Sequence, residues 1–365
     1  MKDQFLGSDE AVVCLDPQTD ATLPSGASRR EFLKALGAAG VGAILPASGL
    51  IAQTAPPANR ANPRRIDVHH HMYPPEYVKR RGGSVGSGSR WTPAASIDQM
   101  DKYGITTAIA SITTPGIFFG NLEETRSLAR ICNDYGAEMV RDHPGRFGLF
   151  AVLPLPDPDA SLREVEYAYD TLKADGIVLL SSYGGKYPGD PAFTPVFEEM
   201  NRRKAVVFLH VTVPPCCTSL VPGGPSSMSE GDFDLTRTIQ SFLLNGTFSR
   251  FPDIRYIVCH SGGVLPVMAG RIQDRFPKDR ADRIPNGIFY ELKRLYYEVA
   301  HATFPAPLGA LTKFVSMSQI LFGTDYPPEP IETTTKPLAE FGFSARDLQA
   351  IDRGNAERLF PRLKG

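Results

Sequence analysis

The feature that most constrains this chain is a series of short segments that stay apolar on consecutive residues, separated by helical patterns. Ile177-Val178-Leu179-Leu180, Val206-Val207-Phe208-Leu209 and Tyr256-Ile257-Val258 show no alternation. A strand with one wet face alternates, whereas a continuous apolar run is buried on both faces, as in a parallel sheet covered by helices. Eight such segments are predicted: Ile66–His71, Ile105–Ile112, Arg146–Leu153, Gly176–Ser182, Ala205–Val211, Ile254–His260, Leu295–Ala300 and Ile320–Asp325. Between them, Leu128, Ile131, Tyr135 and Met139 step by three and four and predict one apolar helix face. Similar patterns occupy 159–174, 194–203, 234–249, 264–275, 305–317 and 344–360. Eight strands with intervening helices predict a (β/α)8 TIM barrel over residues 59–365. An open doubly wound sheet would carry a glycine-rich phosphate loop after its first strand, and none follows Ile66–His71.

Composition narrows the function classes. Of 365 residues, 42% are hydrophobic and 22% charged, which excludes wholesale disorder. Lys and Arg total 39 against 40 Asp and Glu, a net charge of −1, so no chain-wide electrostatic grip on nucleic acid or an anionic membrane is expected. Five cysteines make no disulfide framework. Cys132 and Cys259 fall on core positions and Cys14 lies near the start. Cys216 and Cys217 are neighbours in a loop, where two unremarkable thiols are the simpler reading and a strained vicinal pair the other.

Residues 1–58 differ from the rest. Arg29-Arg30 with Phe32-Leu33-Lys34 precedes an uncharged, Ala- and Gly-rich stretch from Ala35 to Asn59, broken by Pro46. A charged start, a weakly apolar middle and small residues near Ala47–Ala55 predict a secretory signal of twin-arginine type followed by a linker, and hence an exported, periplasmic protein. A membrane anchor needs about 20 strongly apolar residues, which this stretch lacks, so no stable membrane insertion is expected once the signal is removed. The twin-arginine route carries folded proteins, which suits one that loads a metal before export.

The chemistry sits at strand ends. In a strand, residues i and i+2 share a face. His69 and His71 therefore project together into the barrel while His70 faces the helices. His210 ends the fifth segment, His260 the sixth and Asp325 the eighth. Four histidines and a carboxylate from strands one, five, six and eight thus converge on the carboxyl-end rim, where barrels keep their catalytic groups. The pattern predicts a divalent metal at that rim. Nitrogen and oxygen ligands suit Zn, Mn, Fe or Co, with Zn or Mn foremost. Loops 82–89, 183–190 and 213–232 are long and follow strand ends on the same rim. His143 is expected on the far rim in a structural role. His301 is on the correct rim, where substrate contact and plain exposure stand equal, and Glu298 is placed to buttress the ligands.

Ile66-Asp67-Val68-His69-His70-His71-Met72-Tyr73-Pro74-Pro75, His260-Ser261-Gly262-Gly263 and Gly323-Thr324-Asp325-Tyr326-Pro327 resemble the amidohydrolase-2 group of the amidohydrolase superfamily, over nearly all of residues 64–361. That group includes 2-amino-3-carboxymuconate-6-semialdehyde, γ-resorcylate and 6-methylsalicylate decarboxylases. The resemblance implies a barrel with one divalent metal held by His69, His71, His210 and Asp325, and His260 as the water-orienting base. Binuclear superfamily members bridge two metals with a modified lysine at the end of strand four; Gly176–Ser182 has none, and Lys186 comes four residues later. Arg271 matches an arginine lent to a neighbouring subunit, which implies a homodimer; a surface ion pair is its equal alternative. The chain departs from the group in having Ser261 after His260, Val211 after His210, and Gly88 rather than an arginine three residues before Trp91. Arg90 is the nearby substitute.

The function expected on these grounds is metal-dependent, non-oxidative decarboxylation of a small aromatic or unsaturated carboxylic acid. His260 and Asp325 would handle the proton, Arg90 or Arg271 would pair with substrate oxyanions, and Trp91, Tyr73 and Phe118 would wall the ring. Hydrolysis of a lactone, ester or amide by a metal-activated water is the alternative. A non-catalytic metal-holding barrel ranks last, because storage needs no acid–base pair.

Overall fold

The computed structural model describes residues 62–82, 88 and 90–364. The signal reading of residues 1–58, Cys14 and most of the 82–89 loop lie outside the described residues. Eight parallel strands follow one another in the sheet in the order they take in the sequence: β1 Arg65–His71, β2 Ile105–Ser111, β3 Phe147–Val152, β4 Gly176–Leu180, β5 Val206–His210, β6 Arg255–Val258, β7 Tyr296–Glu298 and β8 Ile320–Leu321.

 The barrel closes where β1 meets the chain after β8: Val68 N–H donates to Phe322 O at 3.0 Å, Asp325 N–H to His69 O at 2.8 Å and His71 N–H to Tyr326 O at 2.8 Å. The strands are buried along almost their whole length, as their continuous apolar runs predict.

The helices around the strands include α1 Pro75–Arg80, α2 Pro93–Lys102, α3 Leu122–Asp142, α4 Pro158–Asp170, α5 Thr194–Arg202, α6 Glu230–Leu244, α7 Leu265–Arg275, α8 Pro305–Phe314, α9 Glu332–Glu340, α10 Ala345–Gln349 and α11 Asn355–Leu359. Their starts are written in the sequence. The Asn121 side chain caps α3 by accepting from Glu123 and Glu124 N–H, and Thr92, Asp157 and Ser344 cap α2, α4 and α10 in the same way. The core face of α3 is rotated slightly from the expected one. Leu128, Cys132, Gly136 and Met139 are buried, while Ile131 and Tyr135 are half-buried at its margin. The helix expected over 234–249 stops at Leu244, because Gly246 takes a left-handed φ of 67°. Helix α2 has no counterpart in the sequence reading. Its mixed pattern hides a short inner face of Ser96 and Met100.

The last three strands are shorter than expected. Regular pairing ends at Val258, Glu298 and Leu321, so His260 and Asp325 stand just beyond their strands rather than inside them. His70 is fully buried against the helix layer, with Nε2 2.9 Å from Ser96 Oγ of α2. His143 follows α3 on the far rim, its ring 5.9 Å from Phe147. Among the described residues no helix is long and apolar enough to cross a membrane.

One buried polar side chain joins three elements. Asn133 of α3 donates to Val152 O at 2.9 Å and to Glu164 of α4 at 2.8 Å, and accepts from Val152 N–H at 2.8 Å. Asn133→Ala strands a peptide unit and part of a carboxylate without partners, so a loss of about 2–4 kcal/mol is expected by denaturant unfolding. A loss below about 0.5 kcal/mol would show that α3 docks through its apolar face alone.

Candidate metal centre

Strand β1 delivers His69 and His71 to the interior one pleat apart, and β5 delivers His210 from its last residue. Asp325 arrives from the closure segment. Gly323 two residues earlier is required there: a Cβ would run into the Glu298 carboxylate and sit 2.9 Å from His69 Cβ. One ligand atom from each of His69, His71, His210 and Asp325 lies within 4.8 Å of all the others. His69 Nε2 is 3.1 Å from His71 Nε2, and Asp325 Oδ1 is 2.8 Å from His71 Nε2 and 3.2 Å from His69 Nε2. Metal–nitrogen bonds of 2.0–2.1 Å give ligand–ligand edges of about 2.9 Å in an octahedron and about 3.4 Å in a tetrahedron, the spacing seen here.

The outer ring nitrogens decide which atoms face the centre. His69 Nδ1 lies 2.9 Å from Glu298 Oε1, His71 Nδ1 3.3 Å from Ser111 O, and His210 Nδ1 2.8 Å from Val211 O. Each acceptor takes the Nδ1 proton, so once the rings are neutral each Nε2 presents a lone pair to the same point. His210 Nε2 and Asp325 Oδ1 are buried without a hydrogen-bond partner among the described residues. Buried polar atoms are seldom left so, and a cation satisfies both. The residues therefore fit a divalent metal. Nothing comparable stands at the end of β4: Ser181 bonds Asp234 at 2.6 Å, and Lys186 is exposed.

Asp67 fixes the frame. One carboxylate oxygen accepts from His69 N–H at 3.0 Å and Thr324 N–H at 3.1 Å; the other accepts from Thr324 Oγ1 at 2.5 Å and faces His70 Nδ1 at 3.1 Å. Glu298 acts in the same way from β7, accepting from the backbone N–H groups of His260 and Ala300 at 2.6 Å each.

His260 lies over this centre, its ring stacked 5.4 Å from that of His69. Nδ1–H donates to Asp232 Oδ1 at 2.9 Å, which leaves Nε2 buried, unbonded and 3.8 Å from Asp325 Oδ2. His301 Nε2 holds the same Asp325 oxygen at 2.7 Å. His260, Ser261, His301 and Asp325 all have left-handed backbone, with φ between 50° and 58°. Burial lowers the His69 imidazolium pKa, but Asp325 and Glu298 outweigh it and raise the group to about 9. Burial likewise opposes charge on His260, yet Asp232 and Asp325 bring it up to about 10. His210 is held well below its usual value by burial and by the neighbouring His71 and His69. Burial would raise Asp325, but His69, His260 and His301 keep it far below the ordinary carboxylate range.

A cavity of about 750 Å³ opens above the centre, lined by His210, His260, His301 and Asp325 together with Tyr73, Arg81, Thr113, Thr114, Met228, Asp232 and Glu329. Of the residues expected to meet substrate, Tyr73 lines it. Trp91 does not: it is buried behind Tyr73, with ring centroids 6.3 Å apart and Nε1 donating to Ser96 Oγ. Phe118 lies instead near Gly184. Arg90 is exposed, and so is Arg271, which borders a separate groove between α6 and α7. The arginine in the cavity is Arg81, and Asp67, Arg81 and Asp232 are the site residues the sequence reading missed. Asp67 was legible as the acidic residue of Ile66-Asp67-Val68-His69. Arg81, just before the expected 82–89 loop, and Asp232, at the end of the expected 213–232 loop and in fact inside α6, had no signal of their own.

Two measurements test the ligand geometry. Glu298→Gln keeps the size but disturbs the His69 tautomer, so metal affinity should fall about 10–100-fold by competitive titration with a chelator. In the metal-free protein His69 is protonated below about pH 9, so metal entry must displace that proton. Calorimetry in buffers of differing ionisation enthalpy should show about one proton released near pH 7.5, with affinity falling as pH falls. No release would contradict His69 as a ligand.

The chain is 36% identical to decarboxylase macB of Penicillium terrestre over 323 residues, covering 82% of this chain and 96% of that protein. It is 33% identical to a 6-methylsalicylic acid decarboxylase of Penicillium expansum, covering 82% and 97%. A dihydroxybenzoic acid decarboxylase from Polaromonas sp. JS666, solved with bound manganese and the inhibitor 2-nitroresorcinol, superposes with a TM-score of 0.72 at 25% identity, covering 82% of this chain and 98% of that one. The sequence model of the amidohydrolase family matches residues 66–362, and the chain belongs to that family.

Proposed function

We propose that this protein is a metal-dependent decarboxylase of a small aromatic carboxylic acid. The observation that carries the reading is the cavity itself: a three-histidine, one-aspartate centre faces a space with Arg81 on its wall and His260 beside Asp325. The decarboxylase relatives support the reaction class.

His69, His71, His210 and Asp325 would hold a divalent cation, which would supply Lewis acidity toward the oxygens of the substrate. Arg81 pairs with a substrate oxyanion at the cavity wall, the role expected of Arg90 or Arg271. Tyr73 flanks the ring. Asp325 Oδ2 and His260 Nε2 converge on the cavity, and this pair delivers a proton to the ring carbon that bears the carboxylate. Cleavage of the carbon–carbon bond then returns its electron pair to the ring and releases CO2. Asp232 keeps the His260 ring in place through Nδ1, and His301 holds Asp325 from the solvent side.

Incubating the protein with hydroxybenzoates and Mn or Zn should evolve CO2 and one equivalent of decarboxylated arene. A new carboxyl or alcohol without CO2 would favour hydrolysis instead, and no turnover across the panel would favour a metal-holding barrel. Arg81→Met should raise KM about ten-fold or more with a smaller change in kcat. His260→Ala should keep the metal and lose turnover; full activity in that variant would remove His260 from the mechanism.

A single metal, manganese or zinc, is proposed because the end of β4 offers no bridging lysine; elemental analysis of the purified protein decides number and identity. A homodimer is proposed from the exposed position of Arg271 and the apolar groove beside it, lined by Leu243, Leu244, Met268 and Phe276, and sedimentation at micromolar concentration tests it. Export is proposed from Arg29-Arg30; substitution of both by Lys should retain the protein in the cytoplasm.

A further inference from the structure

The long segment after β5 holds a chemical group that the decarboxylase reading does not use. Pro214 and Pro215 lead into a tight turn, Pro215–Cys217, closed by Cys217 N–H donating to Pro214 O at 2.9 Å. The turn places Cys216 Sγ 2.7 Å from Cys217 Sγ. Cys216 is exposed and Cys217 buried, packed in a small cavity of about 110 Å³ with Leu220, Val221, Met228 and Glu230. Met228 also lines the metal cavity, as does Asp232 further along the same segment. Cys132 and Cys259, by contrast, are buried in the core and far from one another in sequence.

We propose that Cys216 and Cys217 form a dithiol site that reacts with oxidants of the disulfide class and closes reversibly to a vicinal disulfide. The exposed Cys216 thiolate attacks one sulfur of the oxidant R–S–S–R, forming a mixed disulfide and expelling RS⁻. The Cys217 thiolate then attacks Cys216 Sγ, forming the Cys216–Cys217 bond and expelling the second RS⁻. Two thiols are oxidised, one disulfide is reduced, and two RSH result once the leaving thiolates take up the two thiol protons. Adjacent residues cannot reach the Cα separation of an unstrained disulfide, and strained disulfides are the readily reduced ones, so the closed form reopens with a reducing dithiol. Closure stiffens the turn at the start of the segment that supplies Met228 and Asp232 to the cavity.

The test is chemical and independent of the decarboxylase assay. Full-length, metal-loaded protein is incubated with oxidised glutathione, digested, and the peptide containing both cysteines is weighed. The expected product has lost two hydrogens, carries no glutathione, and reverts with dithiothreitol, while Cys132 and Cys259 remain at least about ten-fold less reactive. Cys217→Ser should stop at a glutathione adduct on Cys216, and Cys216→Ser should leave Cys217 unreacted. A stable adduct on Cys216 in the unmodified sequence, an unchanged peptide, or equal reaction at Cys132 and Cys259 would each overturn the proposal.

Discussion

The Asp67 carboxylate is the constraint on which the rest of the molecule depends. It is fully buried and accepts from both sides of the seam where the barrel closes, from His69 N–H on β1 and from Thr324 beyond β8. Two ligands lie on one side of that seam and the fourth on the other. A shift of one residue in register would turn the whole ligand face outward. The carboxylate makes such a slip expensive, since it would leave a buried charge without its donors. The metal centre is thus built by the same contacts that shut the barrel.

Glu298 extends this logic from the opposite direction. It holds the backbone of His260 and the ring of His69 at once. The group that sets the tautomer of a ligand therefore also sets the position of the residue above the metal. Against the effect of burial, His69, His260 and His301 keep Asp325 ionised, so the centre presents an anion even before a cation enters. Arg81 supplies positive charge at the cavity wall.

Much of this was legible in the sequence. The continuous apolar runs gave the parallel barrel because only burial on both faces permits them. The histidines and Asp325 were visible because polar residues that end such runs have few other places to be. Arg81 and Asp232 were not, since a charged residue at a helix end beside a long loop looks the same whether it faces a cavity or water. Trp91 misled for the converse reason: aromatic residues near the rim serve packing as readily as recognition. The extra residues assigned to β6 and β8 reflect a limit of periodicity, which reads burial and says nothing of the sign of φ.

That sign has a consequence of its own. Four side-chain-bearing residues around the mouth, His260, Ser261, His301 and Asp325, are wound against their natural hand, each at a cost of about 1 kcal/mol. Glycine would relax any of them, so selection for heat resistance alone would drift towards glycine at these positions and would trade away the imidazoles and the carboxylate. The rim is where the folded chain is least comfortable, and what keeps it there is its usefulness.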